Sequence, residues 1–490
     1  MHVHLIAVAG TGMSAVAGLF KQLGHDVSGS DVRFDPPMGP ALQRWGIRRM
    51  QGFDPKNLTP RPDLVIVGNV CRSTNVEARA AIDNGLAYTD MAHAVADNVL
   101  VNTTPVVVTG THGKTTTTCL CAWLLDQAGY APGFLVGGLP RNFEHSFRVP
   151  PSRLAQSHEP HEPHEPKRLP PFVIEGDEYD TAFFEKTPKM WHYRPHIAVV
   201  TSIEHDHVDI YPDVASYVDA FRQFLAKVPH DGLIVARAAD PIVRELVRAR
   251  SHGEVVWYAV QGEDVGDIVP DFVARVSHVD SEQQTFSLSV KGQPQGEFLL
   301  PLSGVHNVGN AIAAIAVAVC GFGAALPQLR QSLRAFLGVH RRQELLATAR
   351  GIRVYDDFAH HPTAVQHTLH GLRLRHPEGS LFAVFEPRSA TACRRMHQHA
   401  YAQAFDDATH VIIAPVARDN IDASERLDVS QLVHDLRQQG KWAQCPSNSD
   451  DILEELTRLA KPGDTVALLS NGAFGGIHRR LVERLEHGCM

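Results

Sequence analysis

The stretch from Pro105 to Thr118 constrains the fold more than any other. An apolar run, Pro105-Val106-Val107-Val108-Thr109, passes straight into Gly110-Thr111-His112-Gly113-Lys114-Thr115 and on into Thr116-Thr117-Thr118. A buried strand feeding a glycine-rich turn and then a helix is the opening of a parallel α/β unit. The same arrangement aims backbone N–H groups and the positive end of a helix into one concavity, which is what a phosphate requires. Lys114 would bring a point charge to the β- and γ-phosphates of ATP, and the Thr115 hydroxyl would ligate Mg²⁺. One position departs from the generic loop: Val108 stands where a first glycine is usual. The alternative is a glycine-rich turn whose lysine is simply solvated.

The pattern recurs along the chain. Residues 3–9 read as a buried strand, followed by Gly10-Thr11-Gly12 and an apolar helix through Phe20; further strands end near Asp31 and Gly68. After the phosphate loop, strands are expected at 172–174 and 197–200, a small antiparallel patch over 255–300, and an Ala-rich helix from Asn307 to about Val319. A last group of strands falls at 381–385, 411–414 and 465–469. At 490 residues the length fits about three domains. The expected division is three α/β domains, at 1–101, 102–337 and 338–490: a Rossmann-like unit, a central P-loop unit and a second Rossmann-like unit.

Composition narrows the function classes. The net charge of −8 and the lack of a basic stripe with interleaved aromatics argue against a nucleic-acid binder. No apolar run approaches the ~18–20 residues that span a bilayer. The first residues lack the marks of a signal peptide, and seven scattered cysteines without a Cys-x-x-Cys pair fit a reduced, cytoplasmic setting. The His-Glu-Pro triplets of 157–166 cannot build a core, and read as a solvated insertion rather than a metal tract.

Gly10-x-Gly12-x-x-Ala15, with Asp31 nineteen residues past Gly12, fits a diphosphate-binding turn. NAD(P), a nucleotide-sugar and a purely structural turn all remain open. A dehydrogenase needs no second phosphate loop, so a nucleotide-sugar is favoured at this turn. Two acidic segments, Glu175-Gly176-Asp177-Glu178 and Glu204-His205-Asp206-His207, each follow an expected strand and should crowd the phosphate loop. His207 is an unusual Mg²⁺ ligand, and from chemistry alone it is either a ligand or part of a polar wall.

Set together, these motifs resemble the Mur ligases, ATP-dependent amide-forming enzymes of peptidoglycan assembly. Thr109-Gly110-Thr111-His112-Gly113-Lys114-Thr115-Thr116 is similar to their phosphate loop, which also lacks the first generic glycine. Glu175 falls at their Mg²⁺-binding glutamate, and Asp206-His207 at their Asp-His pair. Gly304-Val305-His306-Asn307-Val308-Gly309-Asn310-Ala311 resembles the segment whose asparagines contact nucleotide. Arg341-Arg342 and Asp356-Asp357-Phe358-Ala359-His360-His361-Pro362-Thr363 resemble the branch acting on UDP-N-acetylmuramate, in which an arginine and an aspartate approach ATP from the last domain; these are Arg342 and Asp357 here.

The resemblance implies ATP and Mg²⁺ as cofactors, with Thr115, Glu175 and His207 at the metal, and Lys114, His207 and Arg342 catalytic. Gly10, Thr11, Gly12, Met13 and Ser14 resemble the family's UDP-binding loop, so that they and Asp31 would hold UDP-N-acetylmuramate, and His360 would touch substrate. Arg388, in Phe385-Glu386-Pro387-Arg388-Ser389, would clamp a carboxylate of the acceptor. Of the branch's two acceptors, these C-terminal motifs favour the recycled tripeptide L-alanyl-γ-D-glutamyl-meso-diaminopimelate; L-alanine is the alternative. A lysine that some members carry about fifteen residues past the metal histidine is expected to be missing, since Arg222 stands there and Lys227 is out of register.

Overall fold

The computed structural model describes residues 1–155, 169–250, 253–418 and 420–487. The His-Glu-Pro triplets lie outside the described residues.

The chain builds three main sheets. The first is five parallel strands in the order Arg48–Gln51, Asp26–Asp31, His2–Ile6, Leu64–Val67, Tyr88–Asp90. Its opening strand stops at Ile6, not at residue 9, because Ala7 takes a positive φ of 64° and turns the chain. The helix that follows, Thr11–Gln22, buries Val16, Leu19 and Phe20 on one face against that sheet.

The central sheet has ten strands. At its middle, Pro171–Gly176, Thr104–Thr109, Ile197–Val200 and Leu233–Arg237 lie side by side and parallel. Each carries a run of at least three buried apolar residues, covered on both faces as a parallel sheet requires. The region 255–300 departs from expectation at its start. Glu254–Val260 pairs parallel with both Leu233–Arg237 and Phe272–Val279, and only the pairings of Gln284–Val290 with Phe272–Val279 and with Gln293–Leu300 are antiparallel. These strands extend the central sheet rather than forming a separate patch. The Ala-rich helix begins earlier than expected, at Val305, and runs to Ala316 before a widened last turn, Val317–Gly321. Its Ala311, Ala313, Ala314 and Ala316 let it pack closely on the helix Lys114–Gln127.

The third sheet orders six strands as Glu344–Ala349, Ile352–Asp357, Thr465–Leu469, Leu381–Phe385, His410–Ile413, Trp442–Gln444. All are parallel except the first, which forms a hairpin with the second. In both larger sheets the connecting loops at the carboxyl ends of neighbouring parallel strands share one edge, where α/β proteins bind ligands.

Candidate functional site

Three adjacent central strands end together, and their loops make the site. Thr104–Thr109 delivers the glycine-rich turn, Pro171–Gly176 delivers Glu175 and Glu178, and Ile197–Val200 delivers 201–207. The turn needs its glycines. Gly110 has φ +126° and a Cβ there would lie 2.2 Å from Thr201 Oγ1; Gly113 has φ +84° and its Cβ would meet Asn310 Oδ1 at 2.4 Å. The loop is pinned from the neighbouring strand: Thr111 donates its N–H to Ser202 O at 2.9 Å, and its hydroxyl donates to Glu204 O at 2.8 Å. The backbone N–H of His112 donates to Ser202 Oγ at 3.1 Å.

Lys114 and Thr115, which begin the helix, point into a nest of carboxylates. Lys114 Nζ donates to Gly110 O at 2.6 Å and to Glu178 Oε2 at 2.8 Å. Burial acts to lower its pKa, but Glu178 and Asp177 outweigh that and raise it. Thr115 Oγ1 donates to Glu175 Oε2 at 3.0 Å, and Gly137 N–H donates to Glu175 Oε1 at 2.7 Å. Burial, with Asp177 nearby, pushes the Glu175 carboxyl up to about 7. Glu178 behaves oppositely. Burial opposes its ionisation, yet Lys114 and His207 hold it down at about 2. The sequence reading missed Glu178 as a member of the site, although it named the segment.

His207 sits at a left-handed φ of +51°, with Nε2 3.4 Å from Glu178 Oε1. Its backbone N–H donates to Asp206 Oδ1 at 2.7 Å. Asn307 and Asn310 are buried on the helix facing the turn, and Asn310 Nδ2 donates to Asn307 Oδ1 at 3.2 Å. Thr116, also buried, lines the same cavity of about 400 Å³ with His112, Asn307, Arg342 and Asp357.

The C-terminal unit closes this cavity. Arg342 Nη2 donates to Thr115 Oγ1 at 3.2 Å, and its guanidinium lies over the Phe358 ring at 5.1 Å. Asp357 does not pair with Arg342 directly. Its carboxylate accepts from the backbone N–H groups of Gln343 and Ala359, both at 2.7 Å, and so shapes the turn carrying the arginine. Thr391 donates to Asp206 Oδ1 at 2.5 Å, and Thr363 to Glu204 Oε1 at 2.9 Å; Thr391 carried no signal in the sequence, and Thr363 closed the motif that begins at Asp356 without a role of its own. His360 is turned toward its own loop, with Nδ1 3.1 Å from Phe358 O.

Other expected residues lie apart. Gly10, Thr11, Gly12, Met13 and Ser14 open the helix of the first unit, where the Ser14 hydroxyl donates to Val8 O at 2.7 Å. Asp31 accepts from Ala9 N–H at 2.8 Å at the same edge. No hydrogen bond among the described residues joins this group to the phosphate loop. Arg388 is half exposed, with Nη1 3.7 Å from Glu386 Oε1. Gly472 leaves room for it: a Cβ there would lie 2.3 Å from Arg388 Cδ. Arg222 pairs with Asp219 on an exposed face, and Lys227 lies over Trp191.

The comparisons with known proteins agree with this geometry. Family models match in order along the chain: "Mur ligase family, catalytic domain" over residues 2–101, "Mur ligase middle domain" over 108–318, and "Mur ligase, glutamate ligase domain" over 341–472. The chain is 33% identical to the UDP-N-acetylmuramate–L-alanyl-γ-D-glutamyl-meso-2,6-diaminoheptandioate ligase of Escherichia coli, covering 99% of this chain and 98% of that one. It is 32% identical to the UDP-N-acetylmuramate–L-alanine ligase of a Roseiflexus species, covering 99% of each. Among solved structures, the murein peptide ligase of Psychrobacter arcticus superposes with a TM-score of 0.72 at 32% identity, with 100% of both chains covered. Family models along nearly the whole length, and a relative above 30% identity end to end, establish that the chain belongs to the Mur ligase family.

Proposed function

We propose that this Mur ligase joins UDP-N-acetylmuramate to the tripeptide L-alanyl-γ-D-glutamyl-meso-diaminopimelate, using ATP, as a step of peptidoglycan recycling in the cytoplasm. The observation that carries the reading is the meeting of Arg342, Thr115 and Glu175 across the boundary between the central and C-terminal units. The proposed division of labour follows the three units, with boundaries at 1–101, 102–337 and 338–490: UDP-sugar, ATP and peptide acceptor.

A carboxylate oxygen of the muramyl group attacks the γ-phosphorus of ATP, and ADP departs. The amine of the peptide then attacks the acyl carbon of the resulting acyl phosphate. Phosphate leaves, the amine loses a proton, and an amide remains. The physical difficulty is bringing an anion onto a triphosphate. Lys114, the turn's N–H groups and Arg342 supply positive charge, and such placement is most of what phosphoryl transfer asks of a protein. Asn307 and Asn310 contact the nucleotide, and Asp357 holds the Arg342 turn. Gly10 to Ser14 and Asp31 hold the UDP-sugar diphosphate and ribose, with His360 and Arg388 toward the acceptor side.

Mg²⁺ fits the central donors. Glu175 and Glu178 are buried beside each other with Asp177 half-buried next to them, and Lys114 pairs closely only with Glu178. Thr115 and Glu175 offer oxygen donors, with His207 beyond Glu178. Bound there, the ion would neutralise charge on the transferring phosphoryl group.

The test is phosphate release. Protein with ATP, Mg²⁺ and UDP-N-acetylmuramate should release phosphate only when the acceptor amine is added. Lys114→Ala should abolish most of that release, and retention of it would overturn the site. A second reading, L-alanine as acceptor, draws on the 32% identity to the Roseiflexus enzyme. Comparing kcat/KM for L-alanine and for the tripeptide separates the two.

A further inference from the structure

A cluster beside the phosphate loop is left unexplained by this chemistry. His112, Glu204 and His361 each offer one donor atom, and the three donors lie within 4.8 Å of one another. They come from three segments: the glycine-rich turn, the loop after Ile197–Val200, and the residue that precedes the C-terminal unit's helix Pro362–Arg375. His112 Nε2 is 2.8 Å from Glu204 Oε2, and His361 Nδ1 is 3.7 Å from the same oxygen.

His361 is the telling member. It is 3% exposed, and neither of its ring nitrogens has a hydrogen-bond partner. A buried imidazole normally satisfies at least one nitrogen, so an unsatisfied pair calls for an explanation. The His112 ring lies beside it, with ring centroids 4.9 Å apart. The carboxylate is already oriented: Thr363 Oγ1 donates to Glu204 Oε1 at 2.9 Å, leaving Oε2 for the cluster. Outer hydrogen bonds of this kind are what hold a metal ligand in place. The His397 ring lies 4.7 Å from that of His361, and its Nε2 is likewise buried without a partner.

We infer that His112, Glu204 and His361 form a binding site for a borderline divalent transition cation of the Zn²⁺ or Co²⁺ type, distinct from the proposed Mg²⁺ site at Thr115 and Glu175. Two imidazoles and one carboxylate suit such ions, whereas Mg²⁺ prefers oxygen donors throughout. Because His112 and Glu204 belong to the central unit and His361 to the C-terminal one, a bound ion would join the two units directly. Occupancy would therefore favour the closed arrangement and slow its reopening, so that Zn²⁺ inhibits turnover even when Mg²⁺ saturates its own site.

The experiment uses the full chain with His158, His161 and His164 changed to Asn, so that the triplet segment cannot bind the probe. Co²⁺ is titrated without ATP, and its visible d–d absorption is followed; this readout does not depend on the ligase reading. One Co²⁺ per chain is expected, with the band intensity of a four- or five-coordinate ion, undiminished by excess Mg²⁺. His361→Ala should weaken binding by more than about 100-fold, beyond the loss typical of an outer-shell change. Since His361 is buried, Glu204→Gln is the second variant: its side chain is 41% exposed and its size is kept. It should show the same loss with an unchanged circular dichroism spectrum. Absence of the bands in the parent, their persistence in both variants, or their displacement by Mg²⁺ would overturn the site.

Discussion

Replacing Glu178 by Gln tests how the site holds its charges. Glu178 is 1% exposed, and its carboxylate takes Lys114 at 2.8 and 3.1 Å, His207 at 3.4 Å and the Tyr217 hydroxyl at 3.3 Å. At 2.8 Å and an effective dielectric of ~20, the Lys114–Glu178 attraction is about 6 kcal/mol gross. Gln keeps the shape and one acceptor, and it also spares the cost of burying a carboxylate. The net loss should therefore fall at the low end for breaking a buried pair, about 3 kcal/mol. For a unit of this size that is a drop of about 6–12 °C in Tm, measured by scanning calorimetry. Nucleotide supplies the discriminating arm. If Lys114 leaves Glu178 for the triphosphate, ATP with Mg²⁺ replaces the missing anion and raises the variant's Tm more than the parent's. A variant that melts within 2 °C of the parent and responds equally to ATP would refute the reasoning.

Arg342→Ala should lower kcat by about 10²–10³, the range for removing one donor to developing charge, while the melting of the central unit stays the same; steady-state kinetics with calorimetry checks both. Thr391→Val removes the hydroxyl that Asp206 accepts across the two units, leaving a buried carboxylate short of a donor at a cost of about 1–3 kcal/mol to the closed arrangement. Limited proteolysis of the ATP-bound protein should then proceed faster than in the parent. Burial, with His112 nearby, lowers the pKa of His367 to about 4, so the folded state resists its protonation while the unfolded chain protonates near 6.5. Its neutral form therefore supports full stability above pH 6.5, and stability declines between pH 6.5 and about 4 at up to ~1.4 kcal/mol per pH unit. His367→Gln should flatten that part of a urea-midpoint-against-pH curve.

The phosphate loop was legible because its information is local. Strand, glycines, lysine and helix are contiguous, and each glycine has a backbone or steric reason to be there. Glu175 and His207 were reachable because they lie at or just past the carboxyl ends of strands that a parallel sheet must place beside the loop. Glu178 was harder. Three acidic residues follow that strand within four positions, and alternation no longer says which one turns inward once the strand ends at Gly176. The direction of Glu254–Val260 was hidden for a related reason: an apolar alternating strand reads alike whether its neighbour runs parallel or antiparallel. Thr391 matters only because two units dock, and docking leaves no period or motif in a single threonine; Thr363 stood in the motif after Asp357, but nothing there marked its hydroxyl as a partner of Glu204.

The contacts of the two cations share a logic that the sequence could not display. Each cation expected to meet the triphosphate is already engaged: Lys114 by Glu178 and the Gly110 carbonyl, Arg342 by the Thr115 hydroxyl. A bare ammonium or guanidinium in a buried cleft would be costly, so the protein supplies temporary partners. Those partners are unequal. Glu178 is strongly ionised and holds Lys114 through full charge, whereas Thr115 offers Arg342 only a neutral oxygen. Nucleotide would displace the weaker contact at smaller cost, so Arg342, which alone of the two belongs to the C-terminal unit, should be the cation freest to follow the phosphate. The closing unit would then be steered by the charge it is needed to neutralise, which ties assembly of the site to the presence of ATP.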